Sequence, residues 1–384
     1  GAEGVGLYRT EFLYINQQRP PEEDEQLATF QRVLNVMDGQ PVTLRTFDIG
    51  GDKFVTTFRM PDELNPMLGL RAVRLALAEP ELFRVHLRAM VRASAFGEVK
   101  IMIPLVARLD ELRRSKEFVE QAIADVRAAG HACAETIPVG VMIEVPAAAM
   151  MADRFAEEAD FMSIGTNDLV QYALAVDRTN RTLAHLASPY DPAILRLIDN
   201  VIQAGTQHDC PVSVCGEMAS DPYGALLLAG MGVREMSMES VAIPEIKESM
   251  RRVTLGELER IADLARRSGT AVEVEDLLSD TLEPRLTDIL TGQPESVAPG
   301  PRSRPSSSRR GLSSDRGAYP ISSRPGSSRG PQQKSPLPPS FGAVPGVSQV
   351  SSRIAIRESL GSPKLPDLSA KPAPEDRGLD DGTD

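Results

Sequence analysis

Five short apolar runs in this chain each lead into a residue that can bind, coordinate or transfer a proton. Arg9 follows Gly-Val-Gly-Leu-Tyr, Arg45 closes Pro-Val-Thr-Leu, and Glu144 closes Val-Gly-Val-Met-Ile. Asn167 and Asp168 follow Phe-Met-Ser-Ile-Gly-Thr, and Cys215 closes Pro-Val-Ser-Val. Arg178, in Ala-Val-Asp-Arg-Thr, adds a third guanidinium. Guanidinium binds phosphate and carboxylate in bidentate fashion, so Arg9, Arg45 and Arg178 suit a small, multiply anionic ligand. Glu144 and Asp168 are hard oxygen ligands suited to Mg²⁺, and no His or Cys pair offers a zinc site. Two carboxylates plus substrate oxygens are the usual way to hold magnesium for phosphoryl transfer. A thiol in the same set is unusual for phosphoryl chemistry unless a carbon must also be protonated, as an enolate must. Any one of these residues alone fits a structural ion pair. Five at the ends of apolar runs argue for a site.

The elements that would position them are short β-branched runs alternating with helical periods, the pattern of a parallel β/α fold. Strands are expected at 4–8, 42–47, 100–105, 138–143, 161–165, 211–214 and 233–238. Leu112, Val119, Ile123 and Val126 share one helical face that stops at Gly130. Ile194, Leu195, Ile198, Val201 and Ile202 line another, and Leu255, Leu258, Ile261 and Leu264 mark a closing helix ending at Gly269. A (β/α)8 TIM-type barrel collects its C-terminal strand ends at one mouth, where such folds place their sites. It needs eight strands, and seven leave a seam of unpaired backbone groups. The expectation is therefore an α/β barrel lacking its first β/α unit, with the missing unit lying upstream of Gly1.

Composition divides the chain near Gly292. Half of the 30 prolines fall after it, where helical or strand periods are scarce. Such a stretch cannot bury enough apolar surface to offset its ordering entropy. The expected organisation is a barrel domain at 1–275, a helical extension at 276–292 and a disordered Pro/Ser/Arg-rich tail at 293–384, with one weakly apolar island at 347–360. The net charge of −12 gives no argument for nucleic acid or a membrane surface. No uncharged apolar run reaches 18 residues, so no membrane span is expected. Cys133, Cys210 and Cys215 are too few and too unpatterned for a disulfide scaffold, which suits a reducing cytoplasm.

A small anion, magnesium and a proton donor to carbon together suggest phosphoenolpyruvate. The chain also carries a series of longer motifs: Gly-Leu-Tyr-Arg-Thr-Glu-Phe at 6–12, Arg-Thr-Phe-Asp-Ile-Gly-Gly-Asp-Lys at 45–53 and Asn-Pro-Met-Leu-Gly-Leu-Arg at 65–71. Arg-Ala-Ser-Ala-Phe-Gly at 92–97, Glu-Val-Pro-Ala-Ala at 144–148 and Ser-Ile-Gly-Thr-Asn-Asp-Leu-Val-Gln-Tyr at 163–172 continue it. Val-Cys-Gly-Glu-Met-Ala at 214–219 and Gly-Met-Gly at 230–232 complete it. In these motifs and their order, over about residues 1–275, the chain resembles the Enzyme I family, the phosphoenolpyruvate-protein phosphotransferases of the bacterial sugar phosphotransferase system.

That resemblance implies that Arg9, Arg45 and Arg178 grip phosphoenolpyruvate with Asn167 and Asp168 touching it. It further implies that Glu144 and Asp168 hold Mg²⁺ and that Cys215 protonates the enolate as pyruvate forms. It implies cytoplasmic phosphoryl transfer to a histidine on a separate N-terminal domain, then to the histidine phosphocarrier protein, and a homodimer in the full-length protein. The alternatives are a phosphoenolpyruvate-sensing barrel without catalysis, or a piece of a pyruvate phosphate dikinase or phosphoenolpyruvate synthase relative. The nitrogen-regulatory variant of Enzyme I also fits.

The departure from the family is the acceptor. His86, His131, His185 and His208 are the only histidines, and none lies in a separate N-terminal domain. His86 reads as a surface or packing residue of a helix. Gly50-Gly51 reads as a tight turn bringing backbone to the ligand, since no strand, Gly-rich loop and helix surround it. Lys53 and Arg71 fit either ligand contacts or supporting charges. Asn180-Arg-Thr is a chance sequon in a cytoplasmic chain, and Cys133 and Cys210 read as ordinary small residues.

Overall fold

The computed structural model describes residues 2–15, 17–50, 63–291 and 350–355. Strand β1 (Gly4–Tyr8) is followed by α1 (Glu23–Met37), β2 (Val42–Arg45), α2 (Ala72–Ala78), α3 (Pro80–Ala93), β3 (Val99–Ile103) and α4 (Leu109–Ala128). Then come β4 (Val139–Ile143), α5 (Pro146–Met150), α6 (Ala152–Glu158), β5 (Met162–Gly165), α7 (Thr166–Ala173) and α8 (Pro192–Gln207). The remainder is β6 (Val212–Cys215), α9 (Glu217–Ser220), α10 (Pro222–Gly230), β7 (Glu235–Glu239), α11 (Ile243–Arg251), α12 (Leu255–Arg267), α13 (Ala271–Thr291) and β8 (Val350–Ala355).

The seven expected strands all form, and each pairs parallel with the next in sequence order. β1, β2, β4 and β5 are buried at every position. A parallel sheet wrapped by helices is covered on both faces, so its strands read as continuous apolar runs. The helix starts are written locally. Asp191 accepts the Ala193 N–H ahead of α8 at 2.8 Å, and Asp221 accepts the Gly224 N–H ahead of α10 at 2.7 Å, each with proline in the first turn. Thr254 and Glu257 form a reciprocal capping box on α12.

The seam differs from expectation. β1 and β7 do not pair with each other; β8 runs antiparallel between them and closes the barrel. Gly4 faces Arg353, and Glu239 faces Ser351. An element therefore arises at the apolar island of the 293–384 segment, in the place left for a first parallel strand. A reversed strand satisfies both edges as a parallel one would, because either direction supplies alternating donors and acceptors.

α12 also departs from the expected stripe. Leu258 and Ile261 are buried, whereas Leu264 is 53% exposed and Ala262 and Ala265 take the inner face. A step of three drifts on a 3.6-residue helix, so position 264 lies roughly 180° from 255. Between strands and helices lies one large apolar core, and inside the barrel a second cluster holds Leu7, Met102, Met142, Phe161 and Cys215. Val274, Leu278, Leu282 and Leu286 of α13 are buried, joining that helix to the barrel's outer core.

Candidate active site

The C-terminal ends of the strands meet at a cavity of about 70 Å³. Arg9, Arg45, Glu144, Asn167, Asp168 and Arg178 all line it, together with Leu7, Asp48, Met142, Gly165 and Gly216. Arg9, Arg45, Glu144, Asn167 and Asp168, far apart in sequence, are thus brought together because each sits at the end of a parallel strand or just beyond it, and Arg178 joins them from the segment after α7. Arg9 is exposed at the rim, Arg178 is partly exposed, and Arg45, Glu144 and Asp168 are buried.

Two acids not singled out from the sequence organise the arginines. Glu11, itself buried, pairs with the Arg45 guanidinium and accepts the Asp48 N–H at 3.1 Å. Asp48 lies 3.4 Å from Arg45 and accepts both Nε and an Nη of Arg71, at 2.9 and 2.7 Å. Burial alone would pull the Arg45 guanidinium down, but Glu11, Asp48 and Glu144 outweigh it and hold it above its ordinary value. Burial opposes Arg71 in the same way, and Asp48 and Asp168 hold it raised as well. Both acids lie inside motifs already quoted, two and three residues beyond Arg9 and Arg45. That spacing at a strand end is the signal that identifies them.

Arg71 is therefore a member of the site's charge network: it reaches Asp168 at 3.6 Å and donates to the Tyr172 hydroxyl at 3.1 Å. Tyr172 donates in turn to the Met67 carbonyl at 2.6 Å, and burial pushes its phenol up to about 12. Gly50 has φ +119, and a Cβ there would lie 2.5 Å from the Leu70 carbonyl oxygen. The close approach needed at Gly50 is thus to the Leu70–Arg71 backbone, the segment that carries Arg71. Gly51 and Lys53 lie outside the described residues.

The two carboxylates fit a hard cation. Burial, then the charge of Asp168, pushes the Glu144 carboxyl up to about 8, against the pull of Arg45. Its Oε1 accepts the Leu105 N–H at 2.7 Å. Asp168 Oδ1 is buried without a hydrogen-bond partner, and its nearest cation, Arg178, stands 3.6 Å away. A buried orphan carboxylate oxygen beside a second, proton-retaining carboxyl is the donor set that a divalent ion would satisfy. Among the described residues no three His, Cys, Asp or Glu side chains are grouped for a metal, so ligand and water oxygens would complete the coordination, as is usual for Mg²⁺.

Asn167 opens α7 directly after β5 and faces α9. It donates to Glu217 at 3.2 Å and accepts the Glu217 N–H at 3.0 Å. Gly216, at φ +111, lets that turn pass Thr166, whose Oγ1 a Cβ would approach to 2.4 Å. Cys215 lies just beneath the cavity floor in the inner cluster, 2% exposed. Its Sγ donates to the Ile164 carbonyl at 3.5 Å and accepts from Ser163 Oγ at 3.6 Å. Burial pushes this thiol up, outweighing the Ser163 hydrogen bond and the pull of Arg45 and Arg9. It is therefore held protonated, as a proton donor must be.

Among the described residues no histidine lines the cavity. His131, His185 and His208 are exposed, and His86 is fully buried in α3, a core residue with no surface part. Cys133 is half-buried and Cys210 buried at the far end of β6, away from the mouth. None of the described helices is long and apolar enough to cross a membrane.

Residues 1–255 match the family described as PEP-utilising enzyme, PEP-binding domain. A phosphoenolpyruvate-protein phosphotransferase of Geobacillus stearothermophilus is 47% identical over 281 residues, covering 73% of this chain and 49% of its own length. A protein of the same name from Listeria monocytogenes is 45% identical over 278 residues, covering 72% of this chain and 49% of its own length. The chain thus spans about half the length of these relatives. Among solved structures, a malate synthase of Haloferax volcanii matches 70% of this chain and 69% of its own at 12% identity, with a TM-score of 0.34.

Proposed function

The chain belongs to the PEP-utilising enzymes through their PEP-binding domain, and from that premise we propose that its barrel mouth is the donor site of a phosphoenolpyruvate-protein phosphotransferase. The observation that carries this reading is one cavity lined by Arg9, Arg45, Arg178, Asn167, Asp168 and Glu144, with the Cys215 thiol buried behind the lining residues Leu7 and Met142. Three guanidinium groups supply bidentate donors for a phosphate and a carboxylate. Glu144 and Asp168 would hold Mg²⁺, which when bound neutralises developing charge on the phosphoryl oxygens. Glu144 would release its proton to solvent on taking that role, and Arg45 beside it would balance the negative charge.

In the reaction so assigned, the bridging P–O bond of phosphoenolpyruvate breaks and the phosphoryl group passes to a histidine nitrogen. The electron pair left on the enolate draws the Cys215 proton to the terminal carbon, giving pyruvate and a thiolate that regains its proton from water. Asn167, fixed by Glu217, orients the ligand, and Arg9 and Arg178 at the rim close over it. With no histidine at the mouth, the acceptor comes from a separate histidine-bearing domain, which would hand the group to the histidine phosphocarrier protein. The full protein is read as a cytoplasmic homodimer that uses this barrel as the first station of a sugar-uptake relay. The test is the ³¹P resonance of phosphoenolpyruvate titrated with the chain: Mg²⁺-dependent broadening, reversed by a chelator, supports the assignment. An unchanged resonance in the presence of folded protein refutes it.

A further inference from the structure

Behind the arginines runs a buried polar file that the phosphotransfer reading leaves unused. It begins at the Pro21 carbonyl, which accepts from Gln26 Nε2 at 3.0 Å. That bond turns Gln26 Oε1 toward His86, whose Nδ1 lies 2.6 Å away. An amide oxygen only accepts, so Nδ1 carries the ring proton and donates. Tyr14 packs on the same nitrogen, its hydroxyl 3.0 Å from Nδ1 and 3.3 Å from Gln26 Oε1. Burial lowers the imidazole to about 3, so the ring is neutral.

A neutral ring protonated at Nδ1 has a bare lone pair on Nε2. That lone pair points at Thr10 Oγ1, 3.4 Å away. Thr10 Oγ1 also donates to the Arg45 carbonyl at 2.8 Å. One hydroxyl proton thus faces two acceptors, the backbone of β2 and the imidazole of α3. Thr10 stands between Arg9, at the rim of the cavity, and Glu11, which holds the Arg45 side chain. The ring cannot tilt freely, since Phe47 lies against it at 5.0 Å and Tyr14 and Phe30 meet it edge-on at 5.7 and 6.2 Å.

We infer that His86 is a positioning residue: through Thr10 it fixes the ends of β1 and β2 relative to each other, and so the spacing of the Arg9 and Arg45 guanidinium groups that receive the anion. This rests on the assignment of the mouth as a phosphoenolpyruvate site. His86 does not line the cavity. Its effect is transmitted by the Thr10 hydroxyl, so the two residues act as one unit.

The experiment measures phosphoenolpyruvate affinity, in Mg²⁺, for the chain and for Thr10→Val, His86→Phe, the double variant and His86→Gln. Glutamine keeps an acceptor near the Nε2 position, and valine keeps the shape of threonine without its hydroxyl. Thr10→Val and His86→Phe should each weaken binding about tenfold, the size of one misplaced charge-assisted contact. The double variant should lose no more than either single one, because coupled residues are non-additive. His86→Gln should stay within about twofold of the parent. Losses that add, or a Thr10→Val protein that binds as the parent does, overturn the inference. Should His86→Phe fail to fold, His86→Met, which also removes the Nε2 acceptor, takes its place beside Thr10→Val and the corresponding double variant, and a His86→Met protein that binds as the parent does overturns the inference. A parent chain that binds no phosphoenolpyruvate refutes instead the function on which the inference rests.

Discussion

Replacing Glu144 by glutamine should strengthen the unliganded fold and at the same time remove its response to magnesium. The Glu144 carboxyl titrates near 8 in the folded protein against 4.5 for an ordinary glutamate, mainly because it is buried and faces Asp168. The folded state therefore holds this proton more tightly than the unfolded state. Stability from Glu144 is complete below about pH 4.5 and is lost progressively as pH rises toward 8. At pH 7 the gap to 4.5 spans roughly 2.5 pH units, which corresponds to on the order of 3 kcal/mol. Glutamine mimics the protonated acid, keeps an oxygen for the Leu105 N–H, and carries nothing to ionise. For a chain of this size that difference is about 6 °C in melting temperature. Melts of both proteins between pH 5 and 8 should coincide at the acid end and diverge as pH rises, glutamine above glutamate. Added Mg²⁺ should raise the parent's melting temperature and leave the variant's unchanged. A difference independent of pH, or a variant equally responsive to Mg²⁺, would refute the reasoning.

Three other outcomes follow from the same geometry. Because Mg²⁺ must displace the Glu144 proton, its affinity should rise close to tenfold per pH unit below about 8 and level off above. Calorimetry in buffers of different ionisation enthalpy would register the released proton, and an affinity flat from pH 6 to 8 would count against Glu144 as a ligand. Cys215→Ala should bind phosphoenolpyruvate within about twofold of the parent, yet lose exchange of pyruvate methyl protons for deuterium, followed by proton NMR. Undiminished exchange would remove Cys215 from the proton-donor role. Thr254→Ala should destabilise the chain by about 1 kcal/mol through loss of the α12 capping box, read from denaturant melts, without altering ligand affinity.

The strands and the mouth were legible because a parallel barrel writes each unit as a continuous apolar run ending in a polar residue, a signal local to about six positions. Arg9, Arg45, Glu144, Asn167 and Asp168 could be gathered on that basis alone, and they line one cavity with Arg178, which the need for a third guanidinium added, while Cys215, gathered in the same way, is buried behind that lining. Glu11 and Asp48 were hidden because an acid beside an arginine reads as an ordinary surface pair until burial of both is seen. His86 was obscured for the opposite reason: a single polar residue in an amphipathic helix gives no sign of the Gln26 and Thr10 groups that meet it from other elements. The reversed β8 was beyond sequence reading, since pairing across nearly the whole chain leaves no local period. Leu264 shows the limit of counting by threes, where the helix turns the stripe away from the core.

The central claim, an anion site closed by magnesium at this mouth, is tested most directly by calorimetric titration of phosphoenolpyruvate into the folded chain with and without Mg²⁺, repeated on Arg9→Ala. Arg9 is exposed at the rim, so its removal leaves the fold intact. Saturable heat that requires Mg²⁺ and falls by tenfold or more in affinity, about the effect of losing one bidentate guanidinium contact, is the predicted result. No saturable heat from a chain that melts cooperatively, or binding indifferent to both Mg²⁺ and Arg9, would contradict it.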